Sequence, residues 1–342
     1  MKTMKTTLQD LSKLVQKLKD ENYRVIGVTP DGKRFSGEFD PALGFMKADA
    51  SPTMISFKEH FFPKSEALFH YGSGSGKVQL QEPVQDERKT VIIGARPCDA
   101  ASIPVLSKVF NWDYSDDFFN RKVENSVVIG MKCDYHDDHC FCNEVGLSQS
   151  SEKGSDIFLI RDEDTFHAKV ITGKGEEFTT KHSEFFHDFT GDIPSKNGKI
   201  PEEKKFDYDT VKKWLDENFD HPFWSEAGET CLSCGQCAFV CPTCHCFDIV
   251  DEKCGTCSGI RVKNWDACQF SLFTKHASGH NPRETREKRY RQRISHKFKY
   301  YNDRFSEILC TGCGRCSRGC PVSIDLLEIV QDIDKLAHTT VE

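Results

Sequence analysis

Apolar side chains recur in two different patterns along the first half of the chain. Leu8, Leu11, Leu14, Val15 and Leu18 lie at helical spacing, which predicts an amphipathic helix. The short apolar and β-branched runs that follow are typical of strands, at residues 23–28, 90–94, 126–131, 157–160 and 167–171. Together these patterns predict a mixed α/β domain over residues 1–190.

The pattern changes after residues 191–205, a polar segment with proline, glycine and lysine that we interpret as a linker. Beyond it the strand-like runs end, and 13 of the 17 cysteines fall between Cys231 and Cys320. We expect residues 206–342 to form a mainly helical domain with irregular cysteine loops between its helices. The predicted fold class is therefore α+β.

Composition narrows the classes of protein to which the chain can belong. Its 342 residues include 46 Lys plus Arg and 53 Asp plus Glu, and this net charge of -7 gives no reason to expect nucleic acid as the main partner. No apolar stretch is as long as a membrane helix requires, so we expect a globular protein without a membrane span. An odd cysteine count without an export signal indicates a reduced, cytoplasmic protein that holds metal.

Two cysteine runs in the second half have the same spacing. They are Cys231-x2-Cys234-x2-Cys237-x3-Cys241-Pro242 and Cys310-x2-Cys313-x2-Cys316-x3-Cys320-Pro321. Two-cluster ferredoxins use this spacing, with three cysteines of a run on one [4Fe–4S] cluster and the fourth on the other. Because 68 residues lie between Cys241 and Cys310, we expect a helical dicluster ferredoxin domain with helices inserted between the runs.

This exchange of the fourth ligand predicts two ligand sets. They are Cys231, Cys234, Cys237 and Cys320 for one [4Fe–4S] cluster, and Cys310, Cys313, Cys316 and Cys241 for the other. A structural zinc site fits the spacing less well, because it takes its thiolates as two pairs. The looser spacing of a sirohaem–[4Fe–4S] site would leave Cys234 and Cys313 without a role.

Four further cysteines follow strand-like runs of the first half, and they are Cys98, Cys133, Cys140 and Cys142. If the runs at 90–94 and 126–131 are parallel neighbours, their carboxyl ends bring these thiols to one edge of a sheet. A third Fe–S cluster held by these thiols is one hypothesis. The alternative is that Cys98 and Cys133 are small buried core residues.

Five cysteines lie outside these sets. Cys244 and Cys246 follow the first run, where Cys244 could tune a cluster by packing or by a weak S–H hydrogen bond. Cys254 and Cys257 form a C-x2-C pair, with Cys268 nearby along the chain. Spare thiols, a redox dithiol and half of a zinc site are the alternatives for this pair.

Residues 281–300 are rich in arginine and lysine, and Arg286, Arg289, Arg293 and Lys297 fall on one helix face. Such a face beside anionic clusters would raise their reduction potentials and offset buried charge. A solvated helix face, or a docking patch for an acidic partner, explains the pattern equally well.

Several short segments indicate which protein family the chain resembles. They are residues 94–103 with Arg96-Pro-Cys-Asp99, Cys140-Phe-Cys142, residues 221–248 ending in Cys241-Pro-Thr-Cys-His-Cys-Phe-Asp248, residues 264–268, 279–283 and 291–297, and the second cysteine run. On these segments the chain resembles the iron–sulfur electron-transfer subunits of anaerobic sulfite reductase and the β subunits of sulfhydrogenase-type NiFe hydrogenases. Many ferredoxins share the cysteine runs, whereas the segments around Cys98 and Cys140 are more specific.

The resemblance implies a subunit that carries electrons between a flavin/NAD(P)H oxidoreductase partner and a catalytic reductase, hydrogenase or heterodisulfide reductase subunit. It also favours the third cluster, since Cys98, Cys140 and Cys142 fall inside shared segments. The Gly/Ser segment at 71–76 fits neither a dinucleotide fingerprint nor a P-loop, so we expect a turn there and FAD on a partner. The alternative function is a catalytic reductase subunit that binds its own substrate at the Cys98 and Cys133 loops.

Overall fold

The computed structural model describes residues 2–37, 39, 51–74, 77–193 and 205–339. Its strands are, in chain order, β1 (Thr3–Thr7), β2 (Arg24–Val28), β3 (Phe35–Ser36), β4 (Ser65–Gly74), β5 (Lys77–Gln81), β6 (Thr90–Ala95), β7 (Ser126–Met131), β8 (Ile157–Asp162), β9 (Thr165–Val170), β10 (His187–Asp188), β11 (Phe247–Lys253) and β12 (Ser258–Trp265). The mixed α/β character predicted for the chain is confirmed.

Helices occur in both halves. They are α1 (Leu8–Asp20), α2 (Lys58–Phe61), α3 (Pro97–Ala100), α4 (Ser102–Phe110), α5 (Asp117–Glu124), α6 (Gly173–Lys181), α7 (Tyr208–Glu217), α8 (Phe223–Glu229), α9 (Gln236–Phe239), α10 (Arg286–Ser295), α11 (Tyr301–Phe305), α12 (Arg315–Arg318) and α13 (Leu326–Thr339). A π-helical turn, His296–Tyr300, joins α10 to α11. Within the described ranges every helix is too short or too polar to pass through a lipid bilayer.

The first half is built on an eight-stranded sheet with the order β10-β1-β9-β8-β7-β6-β2-β3. Strands β2, β6, β7 and β8 run parallel, and the remaining pairs are antiparallel. Strand β6 pairs with β7 from Thr90 and Ser126 onwards. The expectation that the carboxyl ends of these two strands lie side by side is therefore confirmed.

Both faces of this sheet are covered. On one face α1 buries Leu11, Leu14 and Leu18, as its spacing predicted. On the other face Phe61 of α2 packs in one core with Phe119 of α5. Because β6 is buried along its whole length, its sequence is continuously apolar instead of alternating.

A second sheet, with the order β11-β12-β4-β5, joins the two halves of the chain. The hydrophobic pattern shows no strand-like run beyond residue 205 and predicts a mainly helical half, yet that half also contains a hairpin, in which β11 pairs with β12 and β12 pairs with β4. Strand β11 carries three acidic residues and is largely exposed, so it lacks the dense apolar run by which buried strands are recognised. Of the Gly/Ser segment at 71–76, residues 71–74 belong to β4, and 75 and 76 lie outside the described residues.

The helices of the second half surround a core of their own. Trp214 of α7, Trp224 of α8, Ile294 of α10 and Val330 of α13 are buried in it, together with Phe298 of the π-helical turn. Helix α8 lies against α10, and Gly228 allows the close approach, because a Cβ there would lie 2.7 Å from the Cα of Glu287. Most of the predicted linker, residues 194–204, lies outside the described residues.

Candidate iron–sulfur centres

The two cysteine runs fold into loops of the same shape. In each run the residue two places after the first cysteine has a left-handed backbone, with φ 57° at Ser233 and 61° at Gly312. Its N–H donates a hydrogen bond to the first thiol, over 3.4 Å from Ser233 to Cys231 and 3.4 Å from Gly312 to Cys310. The shared spacing thus produces a shared local geometry.

A glycine ends each loop. Gly235 and Gly314 have φ of 75° and 68°, a conformation that glycine adopts without strain, and the short helices α9 and α12 begin directly after them. Both glycines are also in close contact with neighbours. A Cβ on Gly314 would lie 2.7 Å from the carbonyl oxygen of His139, in the loop that carries Cys140.

The first predicted ligand set lines one cavity, which is partly open to solvent. Its wall contains Cys231, Cys234, Cys237 and Cys320. The fourth cysteine of the second run therefore lines the same cavity as the first three cysteines of the first run. Cys316 completes the sulfur lining. The four cysteines of the predicted set offer the thiolates that a [4Fe–4S] cluster requires, and the residues present fit that group.

The thiols of the second predicted set are neighbours in the interior. Burial raises the pKa of Cys310 to about 12 against the pull of the Lys297 ammonium, and the adjoining Cys241 and Cys316 thiols add to the rise. Burial likewise raises the pKa of Cys313, next to Cys241 and Cys316. Metal coordination replaces the thiol proton, so these buried thiols would release protons on binding iron.

Among the described residues, no three His, Cys, Asp or Glu side chains converge closely enough to hold a single metal ion. The cysteines of the first set instead stand around a cavity. A cubane cluster offers each thiolate a different iron atom, so its ligands surround a volume instead of meeting at one point.

Buried cations face the thiols from α10 and the π-helical turn. The Lys297 ammonium lies 3.3 Å from the sulfur of Cys241 and 3.0 Å from the carbonyl oxygen of Leu309. The Arg293 guanidinium lies 3.6 Å from the sulfur of Cys244 and donates to the Cys237 carbonyl over 3.1 Å. These side chains would offset the negative charge of thiolate-bound clusters.

The basic segment at 281–300 therefore has two faces, and each matches one of the predicted roles: compensation of charge beside the cysteines, or contact with solvent or a partner. Its buried face, with Arg293 and Lys297, lies against the cysteines. Lys288, Arg291 and Lys299 instead form ion pairs nearer the surface, with Glu284, Asp220 and Asp216 respectively. Helical spacing alone could not assign the two faces, because both carry arginine and lysine.

The thiols of the first half adjoin the second run. Cys98 follows β6 at the start of α3, and Cys133 follows β7, so both lie at the carboxyl edge of the sheet. Burial raises the pKa of Cys142 to about 11, and the neighbouring Cys133 and Cys313 thiols contribute. Burial also raises the pKa of Cys98, which has the same two thiols nearby. Cys98 and Cys142 therefore both lie near Cys133 and Cys313.

Cys140 lies beside a charged pair. Its sulfur lies 3.2 Å from the guanidinium of Arg318, which forms a two-pronged ion pair with Asp137 at 2.7 Å for each contact. Burial raises the pKa of the Cys140 thiol to about 12. The Arg96 guanidinium likewise lies 3.2 Å from the Cys133 sulfur, so a guanidinium adjoins two of the four candidate thiols.

Direct contacts fasten the second run to the first half. The Phe141 N–H donates to the Gly312 carbonyl over 2.9 Å. Arg315 forms an ion pair with Asp99 at 2.7 Å, with side-chain exposures of only 2% and 1%. The loops that carry Cys98 and Cys142 are therefore held against the second cysteine run.

Three residues at the site carry no signal in the sequence. Lys58 lies in the first half, but its ammonium donates to the Cys244 carbonyl over 3.0 Å and sits 3.9 Å above the Trp265 ring. The Gln269 side-chain oxygen lies 3.6 Å from the sulfur of Cys231. Arg315 occurs in the second run without any feature that identifies Asp99 as its partner.

Of the five remaining cysteines, three lie close to the runs. The Cys244 thiol is hydrogen-bonded to Cys241, and the thiols of Cys246 and Cys268 are hydrogen-bonded to each other. Cys254 and Cys257 are exposed at the turn between β11 and β12.

The cavity, the two matching loops and the buried cations define the class of protein. Residues 230–324 match the family described as a 4Fe-4S dicluster domain, which supports iron–sulfur clusters in this part of the chain. It is also 30% identical over 319 residues to sulfhydrogenase 2 subunit beta of Pyrococcus furiosus, a match that covers 91% of this chain and 92% of that protein. The chain belongs to this family of iron–sulfur, hydrogenase β-type subunits and has an electron-transfer role. None of the solved structures compared with the chain matches it.

Proposed function

We propose that the chain relays single electrons between a flavin- and NAD(P)H-binding partner subunit, which holds FAD, and a catalytic hydrogenase, reductase or heterodisulfide reductase subunit. Membership of a family that includes a sulfhydrogenase β subunit supports assembly into a multi-subunit complex. Iron–sulfur clusters supply one-electron transfer, whereas hydride donors deliver electrons in pairs, so a flavin belongs elsewhere in the complex. The proposed location of the complex is the cytoplasm.

The observation that carries this proposal is the cavity lined by thiols from both cysteine runs. It supports the ligand set Cys231, Cys234, Cys237 and Cys320 for one [4Fe–4S] cluster. The burial of the second set beside Lys297 supports Cys310, Cys313, Cys316 and Cys241 for the other. The proximity of Cys98 and Cys142 to Cys133 supports a third cluster held by these three thiols, with Cys140 as the proposed fourth ligand.

The three sets suggest an order of transfer. Cys316 lines the cavity of the first set and belongs to the second, so those two sets adjoin. Cys313 belongs to the second set and adjoins Cys98 and Cys142. The second cysteine run therefore lies between the other two sets, and we place its cluster in the middle of the relay.

We further propose that residues 1–190 and 206–342 are separate domains joined by a linker at 191–205. Each half has a core of its own, which supports this division. The β11–β12 hairpin then belongs to the second domain and completes a sheet with β4 and β5 of the first.

Anaerobic iron and acid-labile sulfide analysis, with EPR of the reduced protein, tests the proposal. About eight irons per chain supports two clusters and about twelve supports three. Cys313→Ala is expected to lose about four irons per chain and its cluster's EPR signal. Cys254→Ala is the matched control, because Cys254 is exposed and belongs to neither run.

Zinc with negligible iron in the wild-type protein, or iron unchanged in Cys313→Ala, would contradict the proposal. Turnover of a substrate by the isolated chain with an artificial electron donor would favour the alternative function instead. In that case Cys98→Ala and Cys133→Ala should abolish the turnover, because they alter the loops at which the substrate would bind.

A further inference from the structure

Two cysteines outside every proposed ligand set meet at the base of the β11–β12 hairpin. Cys246 directly precedes β11, and Cys268 lies three residues after β12. Phe247 pairs with Trp265 in the hairpin, and the Asp266 N–H donates to the Cys246 carbonyl over 3.0 Å. This pairing holds the two thiols together, and they are hydrogen-bonded to each other.

The surroundings of the two sulfurs differ. Cys268 is 8% exposed, whereas Cys246 is more accessible. The hydrogen bond from Cys246 lowers the pKa of Cys268 to about 6, and the Arg293 guanidinium contributes in the same direction. One proton shared by two adjacent sulfurs is the arrangement in which a dithiol undergoes exchange with disulfides.

Gln269 links this dithiol to the first cluster cavity. Its side-chain nitrogen lies 3.8 Å from the Cys268 sulfur, and its side-chain oxygen lies 3.6 Å from the Cys231 sulfur. Gln269 also forms part of the cavity wall and donates to the Arg289 carbonyl over 3.1 Å. A change at the Cys268 sulfur therefore reaches the cavity through one side chain.

We propose that Cys246 and Cys268 form a redox-active dithiol whose substrates are small soluble disulfides. The shared proton moves to Cys268 as the sulfur of Cys246 attacks the disulfide RS–SR, which breaks its S–S bond, forms a mixed disulfide and releases RS⁻, which takes a proton from solvent to become the first RSH. The sulfur of Cys268 then attacks Cys246, forming the internal disulfide and releasing the second RSH with the proton that Cys268 had received. Two thiols are oxidised, and one RS–SR is reduced to two RSH.

Cys246 is partly exposed at the surface. A surface pocket next to the pair is lined by Phe247 and Asp248, which follow Cys246, and by Asp266 and Phe270, which flank Cys268. Cys246, the more accessible sulfur, is the one that receives the incoming disulfide. The exposed pair Cys254 and Cys257 stands at the other end of the hairpin and is excluded from the site.

The test uses the full-length, iron-loaded chain with Cys254→Ser and Cys257→Ser, which removes the exposed pair. The protein is treated anaerobically with glutathione disulfide or with dithiothreitol, and free thiols are trapped with N-ethylmaleimide before peptide mass spectrometry. Alkylation of Cys246 and Cys268 is expected to fall together by about tenfold after oxidation and to recover after reduction. Full alkylation of both after oxidation, or a lasting glutathione adduct on Cys246, would overturn the proposal.

A second measurement separates a dithiol from a pair of ligands. Cys246→Ser and Cys268→Ser are expected to retain the iron of the parent protein while failing to form the disulfide. Loss of about four irons per chain in either variant would overturn the proposal, because the thiols would then be cluster ligands. The peptide measurement on the unsubstituted pair does not depend on whether these variants fold.

The coupling to the cavity rests on the proposed function, whereas the dithiol itself does not. Oxidation of the pair is expected to shift the EPR signal of one reduced cluster, and Gln269→Leu is expected to reduce that shift while the disulfide still forms. An unchanged EPR signal with a disulfide present contradicts the coupling. Absence of iron in the parent protein contradicts the proposed function and leaves the alkylation result interpretable.

Discussion

The two cysteine runs have the same spacing and the same left-handed turns, yet they lie in opposite surroundings. The first run reaches the surface, with Leu232 59% exposed and Cys234 exposed. The second run is covered by the first half of the chain. Gly312 lies so close to that half that a Cβ would come within 2.4 Å of the Cys142 nitrogen.

This difference separates what the local sequence controls from what the fold controls. The turn at Ser233 and the turn at Gly312 present their first thiols in the same way. The residues around each run decide where electrons can go. A cluster at the surface can exchange electrons with a partner, whereas a covered cluster exchanges them within the chain. Under the proposed function the first run faces a partner subunit and the second connects internal sites.

We expect the greatest loss of folding stability from substitution of Arg315. Its counterpart in the first run is Gln236. Arg315→Gln leaves Asp99 buried without its ion pair, which is expected to cost about 3–5 kcal/mol. Anaerobic urea denaturation measures this loss. Gln236→Ala is the matched control in the first run, and it is expected to cost less than about 1 kcal/mol.

A double substitution sharpens this prediction. Replacing both partners, as Arg315→Met with Asp99→Leu, is expected to recover most of the stability, because no unpaired buried charge remains. Equal urea midpoints for Arg315→Gln and Gln236→Ala would show that the surroundings of the two runs contribute equally to stability at these positions.

The next prediction concerns variants in which the turn residue of each run is replaced by that of the other run. Gly312→Ser places a Cβ 2.5 Å from the Phe141 carbonyl carbon, which is expected to cost about 1–3 kcal/mol and to reduce the iron content. Ser233→Gly loses only the 3.1 Å hydrogen bond from Arg289, at about 1 kcal/mol, and retains iron. Iron analysis and denaturation of both variants provide the comparison, and similar losses in the two would contradict it.

The buried cations give a smaller, electrostatic effect. Lys297→Met removes a positive charge 3.3 Å from the Cys241 sulfur, and we expect the reduction potential of the adjoining cluster to fall by on the order of 50 mV. Lys299→Met is the control two residues along, where the ammonium pairs with Asp216 and is partly exposed. EPR-monitored redox titration measures both, and equal shifts would rule out a specific role for the buried charge.

The smallest expected effect is at the tip of the hairpin. Cys254→Ser with Cys257→Ser is expected to change stability by less than about 0.5 kcal/mol and to leave iron unchanged, because both side chains are exposed. Loss of iron or of zinc in this variant would show that the pair holds metal. The comparison of the two cysteine runs would then have to include the hairpin tip as a third metal-binding region.

Much of the fold followed from hydrophobic spacing. The helix that buries Leu11 and the parallel neighbours β6 and β7 were predictable, because buried elements carry dense apolar patterns. The β11–β12 hairpin was not, since a strand exposed on most of its length has no such pattern. Its pairing with β4 joins segments nearly two hundred positions apart, a contact that local spacing does not encode.

The spacing within each cysteine run was enough to identify an iron–sulfur protein, because the backbone turns of each run depend on residues within the run. The tertiary structure alone decided what surrounds those runs. It brought Cys320 to the cavity of the first run, Asp99 to Arg315, and Lys58 to the Cys244 carbonyl. These contacts arise from packing between distant segments, where burial and charge pairing, and not spacing along the chain, select the partner.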